Sequence, residues 1–480
     1  MRVLPSSRTN SLPNRITEHD IDRSHISASA VTVVEQLRDA GFEAYLVGGC
    51  VRDLLIGLTP KDFDVATSAT PDEVRGVFRR VRLVGRRFRI AHVRLGREVI
   101  EVSTFRRAQD TDEDEFPVDL ADNGLGEEDD DAGAYAEVDE PQPPPRAREE
   151  QELSDQGVLL RDNLYGTIDD DAFRRDFTVN ALYYDPIDDT LLDYCDGMAD
   201  IRARKLRLIG DAETRYREDP VRILRAVRFE AKLGFTLDAE TEAAIAPMSE
   251  LLTAIAPARL FDEFGKLFLS GHALAAFERM RERDLIEILL PLPPHAEPIA
   301  EAALKSTDSR LAEDKPVTAG FLLAAFLWHE YLDRCDHTGP MGNGKDNAKV
   351  ANAVIAEQQF TISIPKRHAL FVRDVWNLQP KLEKRSPKQV QSLLEHPRFR
   401  AAYDFLMLRV DTHDAPAELG EWWTERQKQV GEPAEAAEEQ HNGEATPASP
   451  NGSRRRRRRR RRRPGRGPSS LARRHEGTAP

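Results

Sequence analysis

The chain has 480 residues, of which 40% are hydrophobic and 32% charged, so it is long enough for two or three domains around a sizeable core. Its apolar stretches, such as Phe321–Trp328, are too short to span a bilayer, and Met1–Asn14 lacks the apolar segment of a signal peptide. An odd number of widely separated cysteines excludes a disulfide framework and favours a reducing cytoplasm. These are Cys50, Cys195 and Cys335.

Charge is unevenly distributed along the chain. The formal net charge is −14, but residues 110–152 contain 18 acidic residues and two arginines, whereas residues 454–480 contain 13 arginines and one glutamate. Ten of these arginines are consecutive, at Arg454–Arg463. A strongly acidic segment and a strongly basic one therefore lie on the same chain, and the basic one predicts contact with a polyanion.

Periodicity predicts an ordered α/β region after a disordered segment at 1–24. A helix from Ala28 should end at Gly41, and the next elements should alternate between strands and helices. The predicted strands are 44–47, 63–66, 90–95, 99–104 and 178–184, and the predicted helices are 51–56 and one that follows Thr70-Pro71.

Composition then divides the rest of the chain. Residues 108–157 are acidic, include the proline-rich stretch Pro141–Pro145 and lack periodicity, so we expect a disordered insertion or a long loop, with order returning at Val158–Leu160. From about Arg202 to Val430 the pattern is helical. Residues 431–480 cannot form a core and predict a disordered tail.

The first candidate site is the sequence Asp62-Phe63-Asp64. Residues i and i+2 of a strand project from the same face, so the two carboxylates can share a hard divalent cation. A pair of this kind is common on charged strand edges, and alone it is weak support for catalysis.

The segment just before this pair strengthens the case. Gly48 and Gly49 follow a predicted strand and precede a helix that contains Arg52. Glycines allow the backbone to approach a phosphate closely, and the helix N-terminus offers unpaired N–H groups. A glycine turn of this kind, about a dozen residues before paired carboxylates, predicts a nucleotide site. The turn would hold the triphosphate, and the carboxylates would hold its metal ions.

Three blocks of sequence resemble the class II tRNA nucleotidyltransferase and bacterial poly(A) polymerase family. The blocks are LVGGCVRDLLIG with KDFDVAT, then RRDFTVNA at 174–181, and EDPVR at 218–222 with Arg225, Arg228 and Phe229. The resemblance implies an α/β catalytic head with a small mixed sheet, similar to DNA polymerase beta, followed by helical neck and body domains. It divides the chain into 25–200 (head), 201–270 (neck), 271–430 (RNA-binding body) and 431–480 (tail).

The third block also has a physical interpretation of its own. Asp219, Arg222, Arg225 and Arg228 are spaced three apart, which would form one stripe on a helix, and Glu218 can brace Arg222. A solvated, salt-bridged helix would have the same pattern. The resemblance favours nucleotide recognition, in which Asp219 and Arg222 contact the nucleobase while Arg225 and Arg228 reach phosphates.

The resemblance further implies two-metal nucleotidyl transfer with Mg²⁺, or Mn²⁺, held by Asp62 and Asp64. ATP is then the substrate and an RNA 3′ end the acceptor. We assign Asp176 an active-site role and rank it ahead of Glu101 as the third carboxylate. Glu101 alternates with apolar neighbours on a predicted strand. Arg175 is expected to contact the nucleotide, with Gly48, Gly49 and Arg52.

The shared motifs do not separate poly(A) addition from CCA addition. Residues 85–93, residues 159–167 and the arginine-rich end resemble the poly(A) polymerase branch of the family. We therefore predict adenylate addition, with the arginine tail contacting RNA. The alternatives are a CCA-adding tRNA nucleotidyltransferase and a catalytically inactive RNA-binding protein. The intact pair of Asp62 and Asp64 argues against the inactive protein.

Overall fold

The structure is a computed structural model, and it describes residues 12–85, 89–107, 151–153, 159–162, 165–338 and 344–441. The arginine run and most of the acidic insertion lie outside these ranges. The chain divides into two compact units, one that ends at Trp423 and one that begins at Thr424. The predicted head and neck, and the predicted body up to residue 423, fall in the first unit, so the boundaries between them stay predictions.

An eight-stranded mixed sheet forms the N-terminal part and agrees with the predicted fold class. The strands are β1 (Asn14–Ile16), β2 (Ala44–Val47), β3 (Asp64–Thr67), β4 (Val81–Val84), β5 (Ile90–Leu95), β6 (Glu98–Thr104), β9 (Leu182–Asp185) and β10 (Thr190–Asp193). Their order is β1-β10-β9-β2-β3-β6-β5-β4, in which β3 and β6 are parallel and the other neighbours are antiparallel. A separate antiparallel pair joins β7 (Gln151–Leu153) and β8 (Leu159–Asp162).

Three predictions about these strands need correction. Residues 14–16 lie in the segment predicted to be disordered, but they form β1, because Arg15 and Ile16 pair with Leu192 and Leu191 of β10. Residues 151–153 likewise form β7 inside the predicted insertion. The strand predicted at 178–184 begins as a 3-10 turn at Thr178–Asn180 and continues as β9. In this turn the Thr178 hydroxyl donates to Asp200, and the Asn180 side chain accepts from Arg52.

Helices flank the sheet, and side-chain caps define where several begin. They are α1 (Ala28–Asp39), α2 (Gly49–Leu55), α3 (Pro71–Val77), α4 (Ile168–Arg174) and α5 (Gly197–Ala203). Ser27 accepts hydrogen bonds from the first turn of α1, and Thr70 with Glu73 forms a capping box at the start of α3. Helix α2 begins two residues earlier than predicted, so Gly49 is its first residue.

The remainder of the described chain is helical, as predicted up to residue 430, apart from the two-residue strands β11 (Lys205–Leu206) and β12 (Thr236–Leu237). The last helix continues to His441, into the segment that was expected to be disordered, which corrects that expectation for residues 431–441. The helices are α6 (Ala212–Glu218), α7 (Val221–Leu233), α8 (Ala239–Ala243), α9 (Ile245–Met248), α10 (Pro257–Phe268), α11 (Ala273–Arg281), α12 (Ile286–Leu289), α13 (Glu297–Ala312), α14 (Ala319–Phe326), α15 (Trp328–Thr338), α16 (Gly344–Gln358), α17 (Lys366–Lys384), α18 (Pro387–Leu394), α19 (Phe399–Asp411) and α20 (Ala417–His441).

Aromatic side chains form much of the helical core. Trp328, Trp376 and Trp423 are fully buried, and Tyr331 stacks on Trp376 with ring centroids 4.6 Å apart. This burial shows that the three tryptophans pack in the core, and it excludes base stacking at these positions. Among the described residues no helix is long and apolar enough to cross a membrane.

Candidate active site

Asp64 lies at the start of β3, between two strands that fix its position. It pairs in register with Val47 of β2 and with Glu101 of the parallel neighbour β6. The strand begins one residue later than predicted, so Asp62 lies in the preceding loop, where it is exposed. The sheet therefore brings Asp64 and Glu101 side by side, and Asp62 approaches from the adjoining loop.

This grouping of carboxylates changes the acidity of Asp64. Burial and the neighbouring charges of Glu101 and Asp62 raise the pKa of Asp64 to about 6, although Arg175 opposes the shift. Like charges held together in a partly buried site disfavour ionisation, and a cation would relieve that cost. The donor set therefore fits a hard divalent metal.

The protein side chains alone do not form a complete metal-coordination site here. Within the described ranges, no three acidic, histidine or cysteine side chains converge closely enough to hold a metal ion. Magnesium is usually bound by one or two carboxylates together with water and substrate phosphates. Asp62 and Asp64 fit that arrangement, in which the nucleotide supplies the remaining oxygen ligands.

Gly48 and Gly49 face two guanidinium groups. A Cβ at Gly48, whose φ is +79°, would lie 3.6 Å from Arg175 Nη1, and one at Gly49 would lie 3.5 Å from Arg52 Nη2. The positive φ at Gly48 favours glycine, and the missing side chains leave the backbone open beside the two cations. The structure thus brings the glycine turn and Arg175 together.

Arg175 is held in place by a buried carboxylate that the motifs did not single out. Asp171 accepts hydrogen bonds from Arg175 Nε and Nη2 at 3.2 and 2.9 Å and from Tyr183 Oη at 2.6 Å. Burial raises the pKa of Asp171, but the charges of Arg175 and Arg174 outweigh this effect and lower it. The i, i+4 spacing of Asp171 and Arg175 is a sequence signal that would have identified this pair.

Asp176 forms an ion pair instead of joining the carboxylate group. Its Oδ2 accepts from Arg225 Nε at 2.8 Å and Nη2 at 2.5 Å, while Oδ1 accepts from Asn180 and from the Phe177 backbone. Burial raises its pKa, but the Arg225 charge and these hydrogen bonds lower it to about 2. Glu101, and not Asp176, therefore lies beside Asp64, and we propose Glu101 as the third carboxylate in place of Asp176, which the sequence ranks first.

Asp219 is not on the helix that carries the arginines. It is an extended residue between α6 and α7, with φ −150° and ψ 93°, because Pro220, the N-cap residue of α7, disfavours helical backbone at the residue before it. Its side chain accepts from Arg259 Nη2 of α10 at 2.6 Å. Arg259 lies 40 residues away in sequence, and nothing local identifies it as the partner.

Arg222 forms the predicted ion pair with Glu218. Its Nη1 donates to Glu218 at 3.0 Å and to the Arg215 carbonyl at 2.7 Å. Arg215 in turn donates to the carbonyls of Arg174 and Arg175 at 2.8 and 2.6 Å. The third sequence block is therefore hydrogen-bonded, through Arg215, to the segment that carries Arg175.

Three guanidinium groups surround the ring of Phe229. Arg228, Arg52 and Arg225 lie 4.5, 5.2 and 5.3 Å from its centroid. Arg52 is buried and donates to Asn180 and Asp53. Burial and the charge of Arg225 lower the pKa of Arg228 to about 10, and its Nε is buried without a hydrogen-bond partner among the described residues. This concentration of positive charge is suited to an anionic ligand.

Comparison with known families agrees with this architecture. The poly A polymerase head domain matches residues 44–207, the "probable RNA and SrmB-binding site of polymerase A" matches 234–295, and the polymerase A arginine-rich C-terminus matches 345–463. Poly(A) polymerase I of Haemophilus influenzae is 41% identical over 88% of this chain and 89% of its own length. The chain belongs to the bacterial poly(A) polymerase family.

Relatives that add CCA are more distant. The CCA-adding enzyme of Lactobacillus johnsonii is 33% identical over 55% of both chains. The crystal structure of the Bacillus stearothermophilus CCA-adding enzyme in complex with CTP has a TM-score of 0.51 and 25% identity, covering 83% of this chain and 82% of that one. The poly(A) polymerase family is thus matched over nearly the whole chain, and the chain is a nucleotidyltransferase of that family.

Proposed function

We propose that the chain is a template-independent poly(A) polymerase, which transfers AMP from ATP to RNA 3′ ends and releases pyrophosphate. The observation that carries the proposal is the approach of Asp64, Glu101 and Asp62 beside Arg175 and the Gly48 turn. Carboxylates for a metal and a cation beside an open glycine backbone are the two parts that nucleotidyl transfer needs.

Asp62 and Asp64 would hold Mg²⁺ or Mn²⁺, with Glu101 as the neighbouring carboxylate. When bound, the metal ions lower the pKa of the attacking RNA hydroxyl and stabilise the leaving oxygens. The protein's contribution is to fix Asp64 on β3 between Val47 and Glu101. Because β3 is a central strand, the carboxylate is positioned before substrate arrives.

The triphosphate would contact Gly48, Gly49 and Arg175. Nε and Nη2 of Arg175 bind Asp171, and Nη1 faces Gly48. Asp171 and Tyr183 therefore orient a guanidinium toward the open backbone without any ligand present. Arg225 and Arg228 add positive charge, although Asp176 neutralises part of the charge of Arg225.

Asp219, Arg222 and Arg259 would select the nucleobase. Asp219 supplies acceptors and the two arginines supply donors, so together they can form hydrogen bonds to the edge of a base without a template. The ion pair of Asp219 with Arg259 and the brace of Arg222 by Glu218 fix these groups before ATP binds. A preset pattern of this kind can discriminate between adenine and cytosine.

Extension of an RNA primer with each nucleotide separately tests the reaction. Long extension with ATP alone supports poly(A) addition. Addition of CC with CTP alone, followed by a single A when ATP is then supplied, would support the CCA-adding alternative, for which the sequence identity and the coverage are lower. No extension with any nucleotide, in the presence of Mg²⁺ or Mn²⁺, would support the inactive RNA-binding protein.

The arginine run would add sequence-independent affinity for RNA. Ten adjacent guanidiniums at Arg454–Arg463 release counterions when they bind phosphates, which makes binding steeply salt-dependent. The acidic segment 110–152 would compete with RNA for them at low salt. Deleting 110–152 should then raise RNA affinity at low salt and leave it little changed at high salt. Equal affinity of both proteins at low salt contradicts this competition.

A further inference from the structure

A cavity of about 600 Å³ lies where the end of α16 meets the start of α17. Its walls combine apolar side chains, two amide side chains and two cations, and Phe360 stands at its edge with 85% of its surface exposed. The lining residues are Asn352, Ile355, Ala356, Gln359, Phe360, Ile364, Lys366, Ala369 and Arg373.

The charge of this cavity contrasts with that of the whole chain. The described residues that line it include two cations and no carboxylate, although the chain carries a net charge of −14. A neighbouring cavity is lined by Glu287, Glu330 and Glu357, with one arginine. An exposed aromatic ring beside cations and amides is the combination that binds a stacked nucleobase and its phosphates.

Several of these groups are fixed without a ligand. Arg373 Nη1 donates to Asn352 Oδ1 at 2.8 Å, and its Nε donates to the Ala369 carbonyl at 3.2 Å. Gln359 Nε2 donates to the Ile364 carbonyl at 3.3 Å. These bonds connect the two helices and the turn between them, so the cavity has a defined shape.

The turn that bounds the cavity is attached to the helix that holds the partner of Asp219. Ser363 N donates to the Pro257 carbonyl at 3.0 Å, and Pro257 is the first residue of α10. Arg259, two residues further along α10, is the residue that pairs with Asp219. The cavity and the nucleobase-recognition residues therefore share one rigid support.

We propose that this cavity binds a base of the single-stranded RNA acceptor, stacked on Phe360, with Lys366 and Arg373 contacting the flanking phosphates. The proposal rests on the proposed function, in which RNA is the acceptor. The cavity lies within the match to the arginine-rich C-terminus at 345–463, but it is separate from the probable RNA and SrmB-binding site matched at 234–295 and from the arginine run. Stacking on one ring tolerates any base, so this site would add affinity without demanding a sequence.

Equilibrium binding tests the proposal, with the full-length protein and a 5′-fluorescein-labelled A12 oligonucleotide in the absence of ATP. Phe360→Ala should weaken binding about ten-fold, which corresponds to about 1.4 kcal/mol. Leu370→Ala removes a half-exposed apolar side chain of α17 that does not line the cavity. It should bind RNA like the unmodified protein.

Two further variants separate stacking from charge. Phe360→Trp places an exposed indole at the cavity, whereas three of the four native tryptophans are fully buried, so A12 should quench the added fluorescence. Lys366→Gln should reduce the slope of log affinity against log salt by about 0.7. Lys305→Gln, on α13, should leave that slope unchanged.

Unchanged A12 affinity in Phe360→Ala, together with unquenched fluorescence of the Phe360→Trp variant at saturating RNA, overturns the proposal and leaves a protein partner as the occupant. Equal losses of A12 affinity in Phe360→Ala and Leu370→Ala also overturn the proposal, because the effect would not be specific to the cavity. Failure of the proposed function is separate. It would appear as absence of primer extension by the unmodified protein, whatever the fluorescence shows.

Discussion

Asp64 and Glu101 occupy directly paired positions on the parallel strands β3 and β6. The pKa of Asp64 rises to about 6, first through burial and then through the charge of Glu101. The two carboxylates are adjacent because the sheet fixes their register, although 36 residues lie between them in sequence. Glu101 lies beside Asp64, whereas Asp176 is paired with Arg225. We therefore expect Glu101 to affect metal binding and Asp176 to affect the position of Arg225.

Asp64→Asn should reduce kcat for AMP addition by roughly 1,000-fold or more, which corresponds to about 4 kcal/mol of transition-state stabilisation. The free energy of unfolding should change little or increase, because the raised pKa shows that ionised Asp64 is disfavoured in the folded protein. Primer extension under saturating ATP measures kcat, and urea denaturation measures stability. Activity within ten-fold of the unmodified protein would exclude Asp64 as a metal ligand.

Glu101→Gln should weaken metal activation more than Asp176→Asn does. The substitution removes a carboxylate beside Asp64, so the Mg²⁺ concentration for half-maximal activity should rise roughly ten-fold. Asp176→Asn removes the partner of Arg225 and should change the KM for ATP without shifting the Mg²⁺ dependence. If Asp176→Asn raises the Mg²⁺ requirement and Glu101→Gln does not, Asp176 is the third carboxylate.

Arg259→Ala should lower the selectivity for ATP over CTP. The substitution leaves Asp219 without the cation that orients it, and a charge-assisted hydrogen bond contributes about 1.5–3 kcal/mol. We expect the ratio of kcat/KM for ATP to that for CTP to fall by roughly ten-fold or more. Arg281→Ala, which removes an exposed ion pair with Glu297 and Glu301, is the control. An equal change in both variants would show that the effect is not specific to Asp219.

Asp171→Asn should impair ATP binding and stability together. Asp171 is fully buried and orients Arg175, and breaking a buried ion pair costs about 3–5 kcal/mol of unfolding free energy. The KM for ATP should rise, because Arg175 would no longer be directed toward Gly48. Tyr183→Phe removes one hydrogen bond to Asp171 and should cost about 1 kcal/mol with a smaller change in KM. A KM unchanged in both variants would show that Arg175 does not need this support.

The local motifs predicted those parts of the site that depend on neighbouring residues. The Gly48 turn, the helix that follows it and the brace between Glu218 and Arg222 all involve residues within four positions of each other. The alternating pattern also located β5 and β6. The spacing of Asp219 predicts a position on the helix, but Pro220 caps α7 and keeps Asp219, the residue before it, extended.

Contacts between distant segments could not be predicted in this way. The pairing of Asp219 with Arg259 depends on how α10 packs against α7, and the choice between Glu101 and Asp176 depends on sheet order. The strand β1 forms only because β10 offers it an edge. In each case the deciding partner lies far along the chain, and periodicity carries no information about it.

Acid should selectively weaken the link between Asp176 and Arg225. The folded pKa of Asp176 is about 2, below the ordinary value of 3.8, so ionised Asp176 stabilises the fold above pH 4. That contribution, about 2 kcal/mol, should be lost as the pH falls from about 4 to 2. Asp64 acts in the opposite sense, because its raised pKa makes folding less favourable as the pH rises from about 4 to 6.

Comparison of the unmodified protein with Asp176→Asn isolates this effect, since Asp64 titrates in both proteins. The difference between their free energies of unfolding should be largest above pH 4 and shrink toward pH 2, where protonated aspartic acid resembles asparagine. Urea denaturation at intervals between pH 2 and pH 6 measures it. A difference that is independent of pH would show that Asp176 contributes through shape and not through its charge.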